Sequence, residues 1–142
     1  MKHILMVDDV TTNLKCAAEV LKGAYEISTA KSGRQALLFM KQSIPDLILL
    51  DINMPEMSGY EVMEKLKENP ETQDIPIIFL TAETDRESEI KGLKMGAMDF
   101  IRKPFEPEIM RSRIDKILQM TEQKRELMNF VHKDGLTDLL NR

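Results

Sequence analysis

Leu47-Ile48-Leu49-Leu50 and Ile77-Ile78-Phe79-Leu80 are apolar without alternation, the pattern of strands buried on both faces in the middle of a parallel sheet. Such a sheet needs helices between its strands, and the chain supplies them, because short β-rich runs alternate with segments of helical period. The strand candidates are His3 to Val7, Tyr25 to Thr29, Asp46 to Leu50, Ile75 to Leu80 and Ala97 to Ile101. No low-complexity stretch or long loop divides residues 1 to 118. The expectation is an α/β fold of five strand-helix units, a doubly wound parallel sheet with helices on both faces.

The helices carry start and stop signals. The first, near Thr12 to Lys22, sets Leu14, Ala17, Ala18 and Leu21 on one face, with Gly23 placed for a left-handed cap. The second follows Ser32 and must end before Ile44-Pro45. Ser58-Gly59-Tyr60-Glu61 and Thr84-Asp85-Arg86-Glu87 both fit the capping box and would open the third and fourth helices, the fourth closing near Gly96. From Pro107 a fifth helix begins with Ile109, Ile114, Ile117 and Leu118, and no breaker appears before Asp134-Gly135. If continuous to His132 it has about 26 residues, roughly 39 Å, so its second half must project. Met110, Ile114, Ile117, Thr121, Lys124, Met128 and Val131 alternate spacings of four and three. That suits a coiled-coil seam weakened by Thr121 and Lys124, and reads equally as a solvated linker helix.

Twenty basic and 24 acidic residues leave a net charge of −4, which argues against a direct nucleic-acid partner. With 142 residues, 42% of them hydrophobic, the chain can bury one core. One cysteine and two histidines cannot make an internal disulfide or a zinc site without carboxylates, so any metal should be oxygen-bound and the setting a reducing cytoplasm. No apolar run approaches the roughly 20 residues that span a bilayer, so no membrane partner is expected. Cys16 and the eleven methionines read as core and helix-face packing.

In a parallel α/β sheet, ligands bind beyond the carboxyl ends of the strands. Asp8 and Asp9 follow the first strand, Asp51 the third, Thr81 the fourth and Lys103 the fifth. Singly, these are ordinary turn, cap or surface residues. Together they put three carboxylates, a hydroxyl and an ammonium at one sheet edge. Carboxylates about 4 Å apart repel by about 4 kcal/mol at an effective dielectric near 20, which a divalent cation relieves. Few, oxygen-only ligands describe Mg²⁺, and with Lys103 the pocket becomes near neutral and open to a phosphoryl group. An Asp carboxylate can attack phosphorus while cations neutralise the equatorial oxygens. Asp51, on the most buried strand, is the best-placed acceptor, and the Thr81 hydroxyl could then bond a phosphoryl oxygen.

Asp8-Asp9, Asp51-Ile52-Asn53-Met54-Pro55-Glu56-Met57-Ser58-Gly59, Thr81-Ala82 and Phe100-Ile101-Arg102-Lys103-Pro104 together resemble the receiver domain of two-component response regulators, over residues 2 to 120. The resemblance implies a flavodoxin-like sheet of order 2-1-3-4-5. It implies that Asp51 is phosphorylated from a phosphohistidine of a sensor histidine kinase or phosphotransfer protein. It also implies that Asp9, Asp51 and the Asn53 carbonyl bind Mg²⁺ directly and that Asp8 helps through water. Thr81 and Phe100 would be the switch pair, Lys103 the phosphoryl contact, Lys103-Pro104 a cis bond, and Asn53 and Glu83 the positions that tune dephosphorylation. Phe100 stands where Tyr is frequent; it lacks the hydroxyl but keeps the ring, and it also reads as plain core packing.

Residues 134 to 142, Asp134-Gly135-Leu136-Thr137-Asp138-Leu139-Leu140-Asn141-Arg142, resemble the opening of a diguanylate cyclase (GGDEF-type) domain, with Asp138 in place of the common Gly. The expected organisation is a receiver over 1–120, a stalk helix over 121–133, and the truncated start of an output domain over 134–142. A capped tail of a stand-alone receiver is the alternative. The catalytic signature of such an output domain is absent from these residues, so this chain is not expected to be an enzyme beyond its own phosphorylation. In a receiver-cyclase regulator, phosphorylation would favour a homodimer through the fourth helix, fifth strand and fifth helix. A phosphatase of the haloacid dehalogenase type also uses an Asp nucleophile with Mg²⁺, but as Asp-x-Asp after the first strand. A nucleotide- or flavin-binding module would offer Gly, Ser and backbone N–H groups rather than two carboxylates. A degenerate scaffold would lack one of the acidic or switch residues.

Overall fold

The structure is a computed structural model that describes residues 2–81, 86–103 and 106–135, with side chains described there except at 88 and 123–135. The strands are β1 (His3–Val7), β2 (Glu26–Ala30), β3 (Leu47–Asp51), β4 (Ile77–Thr81) and β5 (Asp99–Arg102). They form one parallel sheet in the order β2-β1-β3-β4-β5. Between them run α1 (Thr11–Leu21), α2 (Gly33–Met40), α3 (Gly59–Glu68) and α4 (Arg86–Met95), and α5 (Pro107–Gly135) follows. This is the five-stranded, flavodoxin-like α/β fold expected from the sequence.

Successive strand residues face opposite cores, as the two-residue repeat of a strand requires. Ile4, Met6, Leu47, Leu49, Ile78 and Leu80 pack with Leu14, Ala17 and Leu21 of α1 and Met110, Ile114 and Ile117 of α5. Leu5, Val7, Ile48, Leu50, Ile77 and Phe79 pack with Ala36 and Met40 of α2 and Val62, Met63 and Leu66 of α3. Every residue of β3 and β4 is buried, and each such Leu or Ile contributes about 1.5–3 kcal/mol relative to exposure. Gly92 lets α4 lie on the Phe79 ring, where a Cβ would fall 2.5 Å from Cδ2.

The helix signals hold where they are described. Ser58 and Glu61 close a reciprocal capping box at α3, each bond 3.3 Å. The Ser32 hydroxyl accepts from the Gln35 N–H at 3.1 Å, and Gly23 takes a φ of +85° just past α1. The capping box proposed at Thr84 lies outside the described residues.

Several boundaries differ from the sequence reading. β2, β3, β4 and β5 each end one residue later, so Asp51 and Thr81 are the last residues of their strands rather than the first beyond them. Asp is poor in strands, but main-chain pairing of Asp51 with Leu80 and of Thr81 with Arg102 outweighs that preference. α5 does not stop at His132 but runs 29 residues to Gly135, since one terminal Gly costs only about 1 kcal/mol. Met110, Ile114 and Ile117 are core residues here, so the first half of the supposed coiled-coil seam is already buried, while Ile109 is exposed. Cys16, Met98 and Met120 are also exposed rather than packed, and the other described methionines are buried or half-buried. Among the described residues, no helix is long and apolar enough to cross a membrane.

Candidate functional site

The register of the sheet brings the acidic residues together. Val7 is level with Leu50, so Asp8, one step on, comes level with Asp51 at the end of β3. One carboxylate oxygen from each of Asp8, Asp9 and Asp51 lies within 4.8 Å of the others. Asp8 and Asp51 are buried and Asp9 is exposed, so two acids line the floor and one stands at the mouth.

Asp8 is held from three sides. Its Oδ1 accepts from the Val10 N–H at 3.0 Å, and its Oδ2 accepts from the Asn13 amide at 3.0 Å. The Lys103 ammonium, on the loop after β5, lies 3.3 Å from Asp8 Oδ2 and 3.1 Å from Asp51 Oδ1. One cation thus bridges two buried carboxylates. Burial first, and the neighbouring Asp8 second, push the Asp51 carboxyl up from its usual 3.8 to about 7, against the opposing pull of Lys103. By geometry alone, one ammonium is shared between two buried carboxylates, with a third carboxylate beside them that it does not bridge.

The donor set fits Mg²⁺. It is all oxygen, it is carboxylate-rich, and one of its members is exposed, so a partly hydrated ion can be met from solvent.

The loop beyond Asp51 is built to approach it closely. The Gly59 N–H donates to the Ile52 carbonyl at 2.9 Å, and a Cβ on Gly59 would fall 2.5 Å from the Asp51 carbonyl oxygen. Only glycine lets α3 begin there. Within this loop Glu56 takes a φ of 68°, a conformation that costs a side-chain-bearing residue of order 1 kcal/mol.

The other predicted residues fall around this centre. Thr81 is buried at the end of β4, and its main-chain neighbour on β5 is Arg102, whereas Phe100 is level with Phe79. Phe100 is half-buried at the edge of the core, with Arg102 and Arg113 against its ring. Asn53 is exposed, two residues past Asp51. Glu83 and Pro104 lie outside the described residues. Three residues near the site were not singled out by the sequence: Asn13, which props Asp8, and the pair Glu89 and Arg102, which meets Thr81. Asn13 carried a weak signal, being one helical turn past an acid. Glu89 and Arg102 carried none without the register of β4 and β5.

Comparison with known proteins agrees with this geometry. The family model described as "Response regulator receiver domain" matches residues 4–115. The Vibrio cholerae protein named "Probable cyclic di-GMP phosphodiesterase" is 44% identical over 126 residues, which are 89% of this chain and 29% of that protein. The response regulator PleD of Caulobacter vibrioides is 41% identical over 113 residues, 79% of this chain and 25% of PleD. The chain thus spans less than a third of the length of these two relatives. Among solved structures, the chemotaxis protein CheY4 of Vibrio cholerae superposes with a TM-score of 0.76 at 32% identity, covering 82% of this chain and 98% of that one.

Proposed function

The chain belongs to the response regulator receiver domain family, and from that premise we propose that Asp51 accepts a phosphoryl group from a phosphohistidine on a sensor histidine kinase or phosphotransfer protein. The observation that carries this reading is the Lys103 ammonium set between two buried carboxylates at the carboxyl edge of the sheet. An Asp51 oxygen forms the new bond to phosphorus as the bond from phosphorus to the imidazole nitrogen breaks, and the electron pair leaves with the imidazole. Lys103 moves with the charge, exchanging part of its carboxylate contact for the phosphoryl oxygens. Asp8, fixed by Asn13 and the Val10 N–H, keeps the pocket open and anionic when phosphate is absent.

Asp9, Asp51 and the Asn53 carbonyl would hold Mg²⁺ directly, with Asp8 acting through water. Bound there, the ion supplies positive charge to the phosphoryl oxygens in the transition state. Thr81 and Phe100 form the switch, and Asn53 and Glu83 set how fast the phosphoryl group is lost.

We further propose that residues 1–120 are the receiver, 121–133 a signalling helix and 134–142 the opening of an output domain of diguanylate cyclase type in a cytoplasmic regulator. Phosphorylation would favour a homodimer through α4, β5 and α5. The Asp134 to Arg142 pattern supports this output, and the relative named a probable cyclic di-GMP phosphodiesterase supports the same second messenger without favouring its synthesis. Incubation with acetyl phosphate and Mg²⁺, followed by intact mass, tests the acceptor. One added phosphoryl group, absent in Asp51→Asn, is expected. Repeated turnover of small phosphate esters would instead favour the dehalogenase-type phosphatase.

A further inference from the structure

Glu89 is an acid in α4 with only 5% of its surface exposed, and neither the acidic cluster nor the apolar core accounts for it. Its carboxylate accepts a hydrogen bond from the Thr81 hydroxyl, Oγ1 to Oε2 at 3.2 Å. Arg102 grips the same carboxylate with two nitrogens, Nε to Oε2 at 2.9 Å and Nη2 to Oε1 at 3.1 Å. The Arg102 guanidinium in turn lies 5.3 Å from the centre of the Phe100 ring.

A hydroxyl has one proton to donate. While Thr81 gives that proton to Glu89, it has none for an oxygen of a phosphoryl group on Asp51. We infer that Glu89 is a positioning residue that holds the Thr81 hydroxyl away from the phosphoryl group, and that releasing it alters the Glu89 and Arg102 pair beside Phe100. This rests on the proposed roles of Asp51 and Thr81. The main-chain register supports the route, because Thr81 is level with Arg102. Phe100 carries no hydroxyl, so the polar link from the site to this surface runs through Glu89 and Arg102. Phosphorylation must therefore compete with a bond to a buried carboxylate, and the strength of that bond sets how far the switch turns.

Binding of beryllium fluoride with Mg²⁺, a non-covalent mimic of the phosphoryl group, measures this competition by calorimetry. Glu89→Ala should tighten binding about 5-fold, the worth of one hydrogen bond. In a Thr81→Val background the same substitution should change nothing, since no hydroxyl remains to be released. An equal gain in both backgrounds, or no gain in either, overturns the inference. Should Glu89→Ala not fold, the native chain decides: the Arg102 Nε–H resonance should move when beryllium fluoride and Mg²⁺ are added, and a stationary signal overturns it. If Thr81→Val leaves binding of the mimic unchanged in the Glu89→Ala background, where no competing bond remains, the reading of Thr81 itself fails, and this inference with it. If Thr81→Val weakens binding in that background while Glu89→Ala alone has no effect, only the role of Glu89 is lost.

Discussion

Asp51 is a buried carboxyl facing a second one, and its raised pKa fixes the sign of a stability effect. In the metal-free protein, the folded state holds a proton on Asp51 up to about pH 7, while the unfolded chain releases it near the usual 3.8. The folded state binds more protons across that window, so the contribution is fully present below about pH 4 and is lost as pH rises to about 7. Asp51→Asn should therefore be the more stable protein at pH 8 in EDTA, by about 1–3 kcal/mol, with the difference shrinking at pH 5. Urea unfolding at the two pH values checks this, and a native chain that gains on the mutant between pH 5 and 8 contradicts it. Lys103→Met tests the opposing charge. Removing the ammonium leaves two buried carboxylates facing each other, so phosphorylation by acetyl phosphate should slow by about 100-fold, as measured by intact mass over time. At this scale the sequence pointed to Asp8, Asp9, Asp51, Thr81 and Lys103 as a group, because all fall at the same ends of apolar runs, and the structure brings the three acids and Lys103 together. Glu89 and Arg102 escaped it, since a charge on a helix reads as solvated until its partner on another element is known.

At the level of elements, the five strands and five helices followed from hydrophobic period and caps, and the boundaries did not. Asp51 and Thr81 resemble residues that leave a strand, and only pairing with Leu80 and Arg102 shows that they are still within one. Burial likewise decided the first half of the α5 repeat, where Met110, Ile114 and Ile117 form a face packed on the sheet, which a four-and-three spacing describes as well as it describes a coiled coil. Two glycines separate the site from the scaffold. Gly59→Ala drives a Cβ against the Asp51 and Ile52 backbone, which cannot swing aside, so α3 must shift. The expected cost is about 2 kcal/mol or more, together with loss of phosphorylation. Gly92→Ala meets the Phe79 ring instead, a side chain rather than the backbone that carries Asp51. It should cost a similar amount and still be phosphorylated by acetyl phosphate. Equal retention of phosphorylation in both variants would contradict the account of the Gly59 contact.

The whole molecule is a sheet clamped between two cores, with its acids gathered at one edge and a final helix of 29 residues. Among the described residues the last buried one of α5 is Leu118, and 119–122 are exposed or half-buried, while the helix continues to Gly135. Cutting the chain after residue 122 should therefore leave the melting temperature within a few degrees and phosphorylation intact; cooperative unfolding lost on truncation would place part of the core in the removed segment. Mg²⁺ at 100 times its Kd should stabilise the folded chain by about 2.7 kcal/mol, which EDTA reverses. The most direct measurement is the position of the phosphoryl group itself. After reaction with acetyl phosphate and Mg²⁺, borohydride reduction and peptide mass mapping should find homoserine at position 51 and nowhere else. Reduction at another acid, or a labelled peptide that lacks residue 51, would contradict the assignment of Asp51 as the acceptor.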